Sequence, residues 1–138
     1  MTDDLLKNLK LQGFKSTKIR SSLIDILNKY PTPLSVPQIL DLFKKKGLHP
    51  NKTTLYREIA FLKDLGLVDE LELQEREKRY ELKQQDHHHH LVCVKCKSIQ
   101  DIPMSENLHL ENEDLFKKLQ FKPLSHSLEF FGLCKNCQ

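Results

Sequence analysis

No apolar run in this sequence approaches the length of a bilayer-spanning helix, which excludes a helical membrane protein. Glycine is scarce, 4 in 138 residues. No phosphate-cradling glycine loop, HExxH helix or nucleophile elbow occurs, so the usual frameworks of nucleotide-dependent and hydrolytic enzymes are missing. The chain opens Met1-Thr2-Asp3-Asp4, acidic where a secretory signal is basic and then apolar. The expected location is therefore cytoplasmic, where thiols are kept reduced, and no membrane partner is expected. What is present, 38% hydrophobic and 30% charged residues, is the composition of a globular chain rather than a disordered one. The length suits one ordinary domain or two small ones. Small domains bury too little surface to stand without a metal, a disulfide or a partner subunit.

Positive charge is concentrated at the front. Residues 1–65 hold 12 Lys and Arg against 6 Asp and Glu, residues 66–82 hold 3 against 6, and residues 83–138 hold 7 against 7. A basic front half points weakly to nucleic acid; a Lys-rich solvated surface carries the same charge. All 4 Cys, and every His except His49, lie after residue 86. The chain thus divides into a basic front and a back rich in metal-ligand side chains.

The front carries four helical patterns. Leu5, Leu6 and Leu9 precede a stop at Gly13. Thr17 can cap a second helix with Ile19, Leu23, Ile26 and Leu27 on one face, ended by Pro31. Ser35 and Gln38 have capping-box spacing for a third, carrying Ile39, Leu40 and Phe43 up to Gly47. Asn51 can cap a fourth, with Leu55, Ile59 and Leu62 inward and Gly66 after it. Alternation then predicts a strand with Leu67, Asp69, Leu71 and Leu73 on one face. A turn at Gln74-Glu75-Arg76-Glu77 and a strand from Lys78 to Leu82 follow. Helices followed by a two-stranded hairpin are the order of a winged helix-turn-helix.

Opposite the apolar stripe of the fourth helix lie Thr53, Tyr56, Arg57 and Ala60. That narrow face can enter a major groove, with Arg favouring guanine and apolar atoms favouring thymine methyls. An ordinary solvent-facing stripe would look the same on the helix alone; its place after a short turn and ahead of a hairpin favours DNA. Lys44-Lys45-Lys46 reads as a solvated helix end favoured by the dipole, with a phosphate contact as the sharper alternative. His49, beside Pro50, reads as a loop residue.

The back carries two CxxC pairs, Cys93/Cys96 and Cys134/Cys137. Two such knuckles make the tetrahedral thiolate site that structural zinc fills. A redox CxxC or incidental cysteines would not predict two matched pairs. His87-His88-His89-His90 lies inside the chain and runs straight into Leu91-Val92-Cys93, unlike a purification tag. If extended, it sends His87 and His89 to one face and His88 and His90 to the other, so two different metal sites become possible.

These segments resemble the ferric uptake regulator (Fur) family over essentially the whole chain. Tyr80 to Cys96, with its four adjacent His and first knuckle, resembles the central signature. Thr53-Thr-Leu-Tyr-Arg57 resembles the recognition helix, and Gly13-Phe-Lys-Ser-Thr17 with Arg20 the N-terminal segment. His126 to Cys134 resembles the last strand and second knuckle. The resemblance implies an α+β architecture. A winged helix-turn-helix DNA-binding domain over residues 1–83 would precede a small α/β dimerisation and metal-sensing domain over 84–138. It implies a homodimeric repressor that binds pseudo-palindromic, AT-rich double-stranded operators in response to metal, with no small-molecule substrate.

Lys15, Arg20, Thr53, Thr54, Tyr56 and Arg57 would be the DNA-binding set, Lys15 in the minor groove. Cys93, Cys96, Cys134 and Cys137 would hold structural Zn2+. Glu81, His88, His90 and Asp101 match ligands of a regulatory site at the domain hinge. His87, His89, His109 and His126 match a second site. Many relatives place a further hinge ligand, a His, where this chain has Pro33. The second site is His-rich, with His89 and His109 where carboxylates are often found, which favours borderline metals such as zinc, nickel or cobalt. Because the zinc knuckles use every Cys, the hinge lacks thiolates and suits Fe2+ or Mn2+, with Zn2+ able to enter in vitro. Glu81, where peroxide-sensing relatives often carry Asp, favours iron sensing.

The alternatives are a zinc-, nickel-, manganese- or peroxide-responsive member of the same family, or a metal store or chaperone without regulated DNA binding. A hydrolytic zinc enzyme would need an open coordination position and is not expected.

Overall fold

A computed structural model describes residues 2–73, 76–83, 88–103, 113–123 and 128–138. The chain divides into two compact units, Met1–Lys83 and Gln84–Gln138. No helix among the described residues is long and apolar enough to cross a membrane.

The first unit contains α1 (Thr2–Leu11), α2 (Lys18–Lys29), β1 (Leu34–Ser35), α3 (Val36–Lys45), α4 (Lys52–Asp64), β2 (Val68–Leu71) and β3 (Arg79–Leu82). Local chemistry sets the helix starts. Thr17 Oγ1 accepts the Arg20 amide at 3.1 Å, and Asn51 Oδ1 accepts the Thr54 amide at 2.8 Å. Ser35 and Gln38 close a reciprocal capping box, at 2.9 Å and 3.4 Å. Such caps satisfy amides that a helix leaves unbonded and contribute about 1 kcal/mol each. After α4 the chain reverses at Gly66, whose φ of 72° is left-handed. Its amide and that of Leu67 turn back onto the carbonyls of Lys63 and Leu62, both at 2.9 Å. A side chain is strained in this conformation, so glycine ends the helix cleanly.

Leu23, Ile24, Ile39, Phe43, Leu55 and Leu62 are wholly buried and join α2, α3 and α4 in one core. Burial of each such side chain stabilises by about 1.5–3 kcal/mol relative to exposure. The strands form a three-stranded antiparallel sheet in the order β1-β3-β2, with Leu34 opposite Tyr80 and Val68 opposite Leu82. Two features differ from the sequence expectation. The sheet gains β1, a two-residue strand just before α3. The buried residue of β2 is Val68, while Asp69 is exposed. Regular pairing spans only Val68–Leu71, so alternation counted from Leu67 to Leu73 crosses both ends of the strand. Four helices and a small sheet around one core make a winged helix-turn-helix.

The second unit contains β4 (His89–Cys93), β5 (Ile99–Ile102), a short helix here called α5 (Glu113–Lys118) and β6 (Glu129–Gly132). β4 is central, antiparallel to β5 and parallel to β6. It therefore carries His89, His90 and Cys93 on the best-supported strand of the unit.

Candidate metal centres and nucleic-acid interface

The four cysteine sulfurs all lie within 4.8 Å of one another. Parallel pairing of β4 with β6 sets Cys93 beside Gly132, and the Val94 amide bonds the Gly132 carbonyl at 2.9 Å, which brings the second knuckle to the first. Lys97 completes the first turn with φ 65°, its amide on the Cys93 carbonyl at 2.9 Å. The amides of Cys96 and Cys134 point at Cys93 Sγ, at 3.5 Å and 3.4 Å. These donors favour the thiolate and hold the Cys93 pKa down to about 6. The Ser98 hydroxyl, 3.1 Å from Cys96 Sγ, lowers the Cys96 pKa. Cys137 is pushed up to about 12, chiefly through its hydrogen bond with Cys134. Four thiols this close cannot all ionise without a cation among them.

The spacing also fits zinc. Cys96 Sγ and Cys134 Sγ are 3.8 Å apart, matching the edge of about 3.8 Å for a tetrahedron with Zn–S bonds of about 2.3 Å. The cluster suits structural zinc in ligand type, number and distance.

A second cluster lies on the other side of β4. His88, His90 and Asp101 bring donor atoms within 4.8 Å of one another. His90 and Asp101 are paired across β4 and β5, with Nε2 3.5 Å from Oδ1. The His88 and His90 rings meet edge to face at 5.0 Å. This nitrogen and oxygen donor set, lacking thiolate, suits Fe2+, Mn2+ or Zn2+. Glu81 is the third residue of β3, buried and paired with Asp69, close to the end of the first unit.

His89 is buried, and its Nδ1 lies 3.2 Å from the Leu128 carbonyl. The tautomer that donates there presents Nε2 as an acceptor, the form a metal ligand needs. The other three members expected for the second site, His87, His109 and His126, lie outside the described residues. Pro33 is wholly buried, and its carbonyl accepts Arg79 Nη1 at 3.3 Å. The same Arg79 nitrogen donates to Gln38 Oε1 at 3.1 Å. The segment before α3, which lacks a ligand His, is tied to β3 by an arginine.

On α4, Leu55, Ile59 and Leu62 are buried, while Thr53, Tyr56, Arg57 and Ala60 are exposed and Thr54 is half-buried. Lys15 is exposed in the loop between α1 and α2. Arg20, expected among the DNA-binding residues, turns inward: its side chain is 13% exposed and bonds Glu58. Lys44 and Lys46 are exposed and pair loosely with Asp41 and Asp25, at 4.0 Å and 3.9 Å. Sequence reasoning missed Glu58 and Arg79, whose partners lie 38 and 46 positions away on other elements, and Ser98, which sits beside Cys96 in the same turn.

The Ferric uptake regulator family model matches residues 11–131. The ferric uptake regulation protein of Helicobacter pylori strain J99 is 31% identical over 134 residues, covering 97% of this chain and 89% of that protein. A structure of the Helicobacter pylori ferric uptake regulator, described as revealing three functional metal binding sites, is similar with a TM-score of 0.76. It is 27% identical, covering 98% of this chain and 89% of the other. The Francisella tularensis ferric uptake regulator with iron gives 0.74 at 28% identity, covering 91% and 95%. With the winged helix, the four-thiol cluster and these matches together, the chain belongs to the ferric uptake regulator family of transcriptional regulators.

Proposed function

We propose that this chain is a cytoplasmic, homodimeric repressor that binds pseudo-palindromic, AT-rich double-stranded operators when a regulatory metal site is filled. The observation that carries the reading is the face of α4. Tyr56 and Arg57 are exposed on a helix whose opposite side is buried to the last few per cent, in a chain that also holds two separate ligand clusters. Arg57 and Tyr56 read base edges, Thr53 and Thr54 approach the backbone at the helix N-terminus, and Lys15 reaches the neighbouring groove. A second copy covers the apolar surface of the second unit, where Leu119, Phe121 and Phe130 are exposed and β6 is a sheet edge.

Cys93, Cys96, Cys134 and Cys137 hold the zinc that keeps the second unit folded. Glu81, His88, His90 and Asp101 hold the regulatory Fe2+ or Mn2+. When bound, the ion supplies a positive centre that favours the arrangement completing its donor set. Glu81 belongs to the first unit and its three partners to the second. Joining them restricts how the two α4 helices of a dimer are spaced, and that spacing must match successive half-sites. His87, His89, His109 and His126 form a second site whose donors favour borderline metals.

A mobility-shift experiment tests this reading. Protein purified with only its tightly held zinc is offered an AT-rich pseudo-palindromic duplex and a scrambled one, with and without added Mn2+ or anaerobic Fe2+. Metal-strengthened, sequence-selective binding as a dimer is expected. A metal store would bind the ions and neither duplex.

A further inference from the structure

Arg20 gathers three segments of the first unit. Its Nε donates to Glu58 Oε2 at 2.8 Å and its Nη2 to Glu58 Oε1 at 3.3 Å, a fork on one carboxylate. Its Nη1 donates to the Lys15 carbonyl at 2.8 Å. Its Cζ lies 3.8 Å from the centroid of the Phe61 ring, and the Phe14 ring meets Phe61 edge to face at 5.0 Å. Glu58 and Phe61 are three residues apart on α4, so they share a face. The Arg20 and Glu58 side chains are 13% and 16% exposed. A guanidinium committed this way cannot reach a phosphate without leaving Glu58 uncompensated in a half-buried place.

We propose that Arg20 is a positioning residue, not a DNA contact: through Glu58 it fixes the Lys15 segment to α4, so that Lys15 and Arg57 meet DNA as one rigid pair. This rests on the reading of α4 as the recognition helix. The alternative, that Arg20 binds phosphate directly, makes the opposite prediction at Glu58. Replacing a carboxylate on a DNA-facing helix removes repulsion from a polyanion and releases Arg20, so it should strengthen binding. If Arg20 positions Lys15, the same change loosens the pair and weakens binding.

The test uses full-length, zinc-loaded protein with added Mn2+ and a duplex selected by the wild type from a random-sequence pool. Glu58→Gln is expected to weaken binding to that duplex about tenfold, a usual size for a coupled contact. Lys15→Ala should weaken wild type clearly yet add little in the Arg20→Gln, Glu58→Gln background, whose neutral pair avoids a stranded charge. The exchange Arg20→Glu, Glu58→Arg should recover part of the loss and restore the effect of Lys15→Ala. The transition temperature of each variant separates loosened positioning from unfolding, because lost folding would not make the Lys15 effect depend on its background. Unchanged or tighter binding by Glu58→Gln, or a Lys15→Ala penalty of equal size in every background, overturns the proposal. Arg57→Ala serves as the control for the underlying reading. If it weakens binding while those overturning results hold, α4 reads DNA and Arg20 does not position it; if wild type enriches no duplex, both readings fall.

Discussion

Cys93 differs from the other three thiols in what surrounds it before any metal is considered. Two backbone amides point at its sulfur, favour its thiolate form and hold its pKa down to about 6. Serine in its place accepts the same amides weakly, cannot ionise in this range and is a poor zinc ligand. We expect Cys93→Ser to lose one tightly held zinc per chain and most of the dimer, since the site and the fold of the second unit form together. Zinc content by metal analysis and mass by light scattering check this. A dimeric Cys93→Ser protein with normal zinc would contradict the four-thiolate site. The knuckles were legible in the sequence because CxxC spacing is local chemistry. The Cys134 amide donor was not, since it reaches Cys93 across 41 positions.

At the scale of elements, α2, α3 and α4 were readable from their caps and apolar stripes, because each signal lies within four residues of the structure it specifies. The wing was less so. Its third strand, β1, is two residues long and exists only through its pairing with Tyr80 and Arg79. Arg79 also holds the Pro33 carbonyl, a contact across 46 positions. A further tie joins α4 to the wing. Glu70 on β2 accepts Lys63 Nζ of α4 at 2.7 Å and the Tyr80 hydroxyl of β3 at 3.2 Å. The Lys63 hydrogen bond holds the Glu70 pKa below the ordinary carboxylate value, and burial beside Glu70 pushes Tyr80 up to about 12.

A depressed carboxylate contributes fully above its unfolded pKa, about 4.3, and loses that contribution as pH falls through the folded value. The protection of the β2 and β3 amides against exchange, taken relative to the intrinsic rate at each pH, should therefore fall on acidification through this range. Glu70→Gln should already be less protected at neutral pH, with little further loss of protection in acid. An acid response of the same size in Glu70→Gln would assign it to other carboxylates.

For the whole molecule, the proposed regulation requires the His88, His90 and Asp101 cluster to govern DNA binding through Glu81. A metal shifts an equilibrium only by its differential affinity for two states, and operator DNA must tighten metal binding by the same factor. The segment before α3 is held by Arg79 and not by a ligand His, so the first unit contributes one ligand, Glu81, to the proposed hinge site. The metal response should accordingly be real but shallow, with some operator binding before regulatory metal is added. The direct measurement is operator affinity of protein holding only its structural zinc, titrated anaerobically with Fe2+, Mn2+ and Zn2+, beside the double variant His88→Ala, His90→Ala. Metal is expected to tighten wild-type binding and to leave the double variant unchanged. A metal response that survives intact in the double variant would contradict this and move the switch to the proposed second site of His87, His89, His109 and His126.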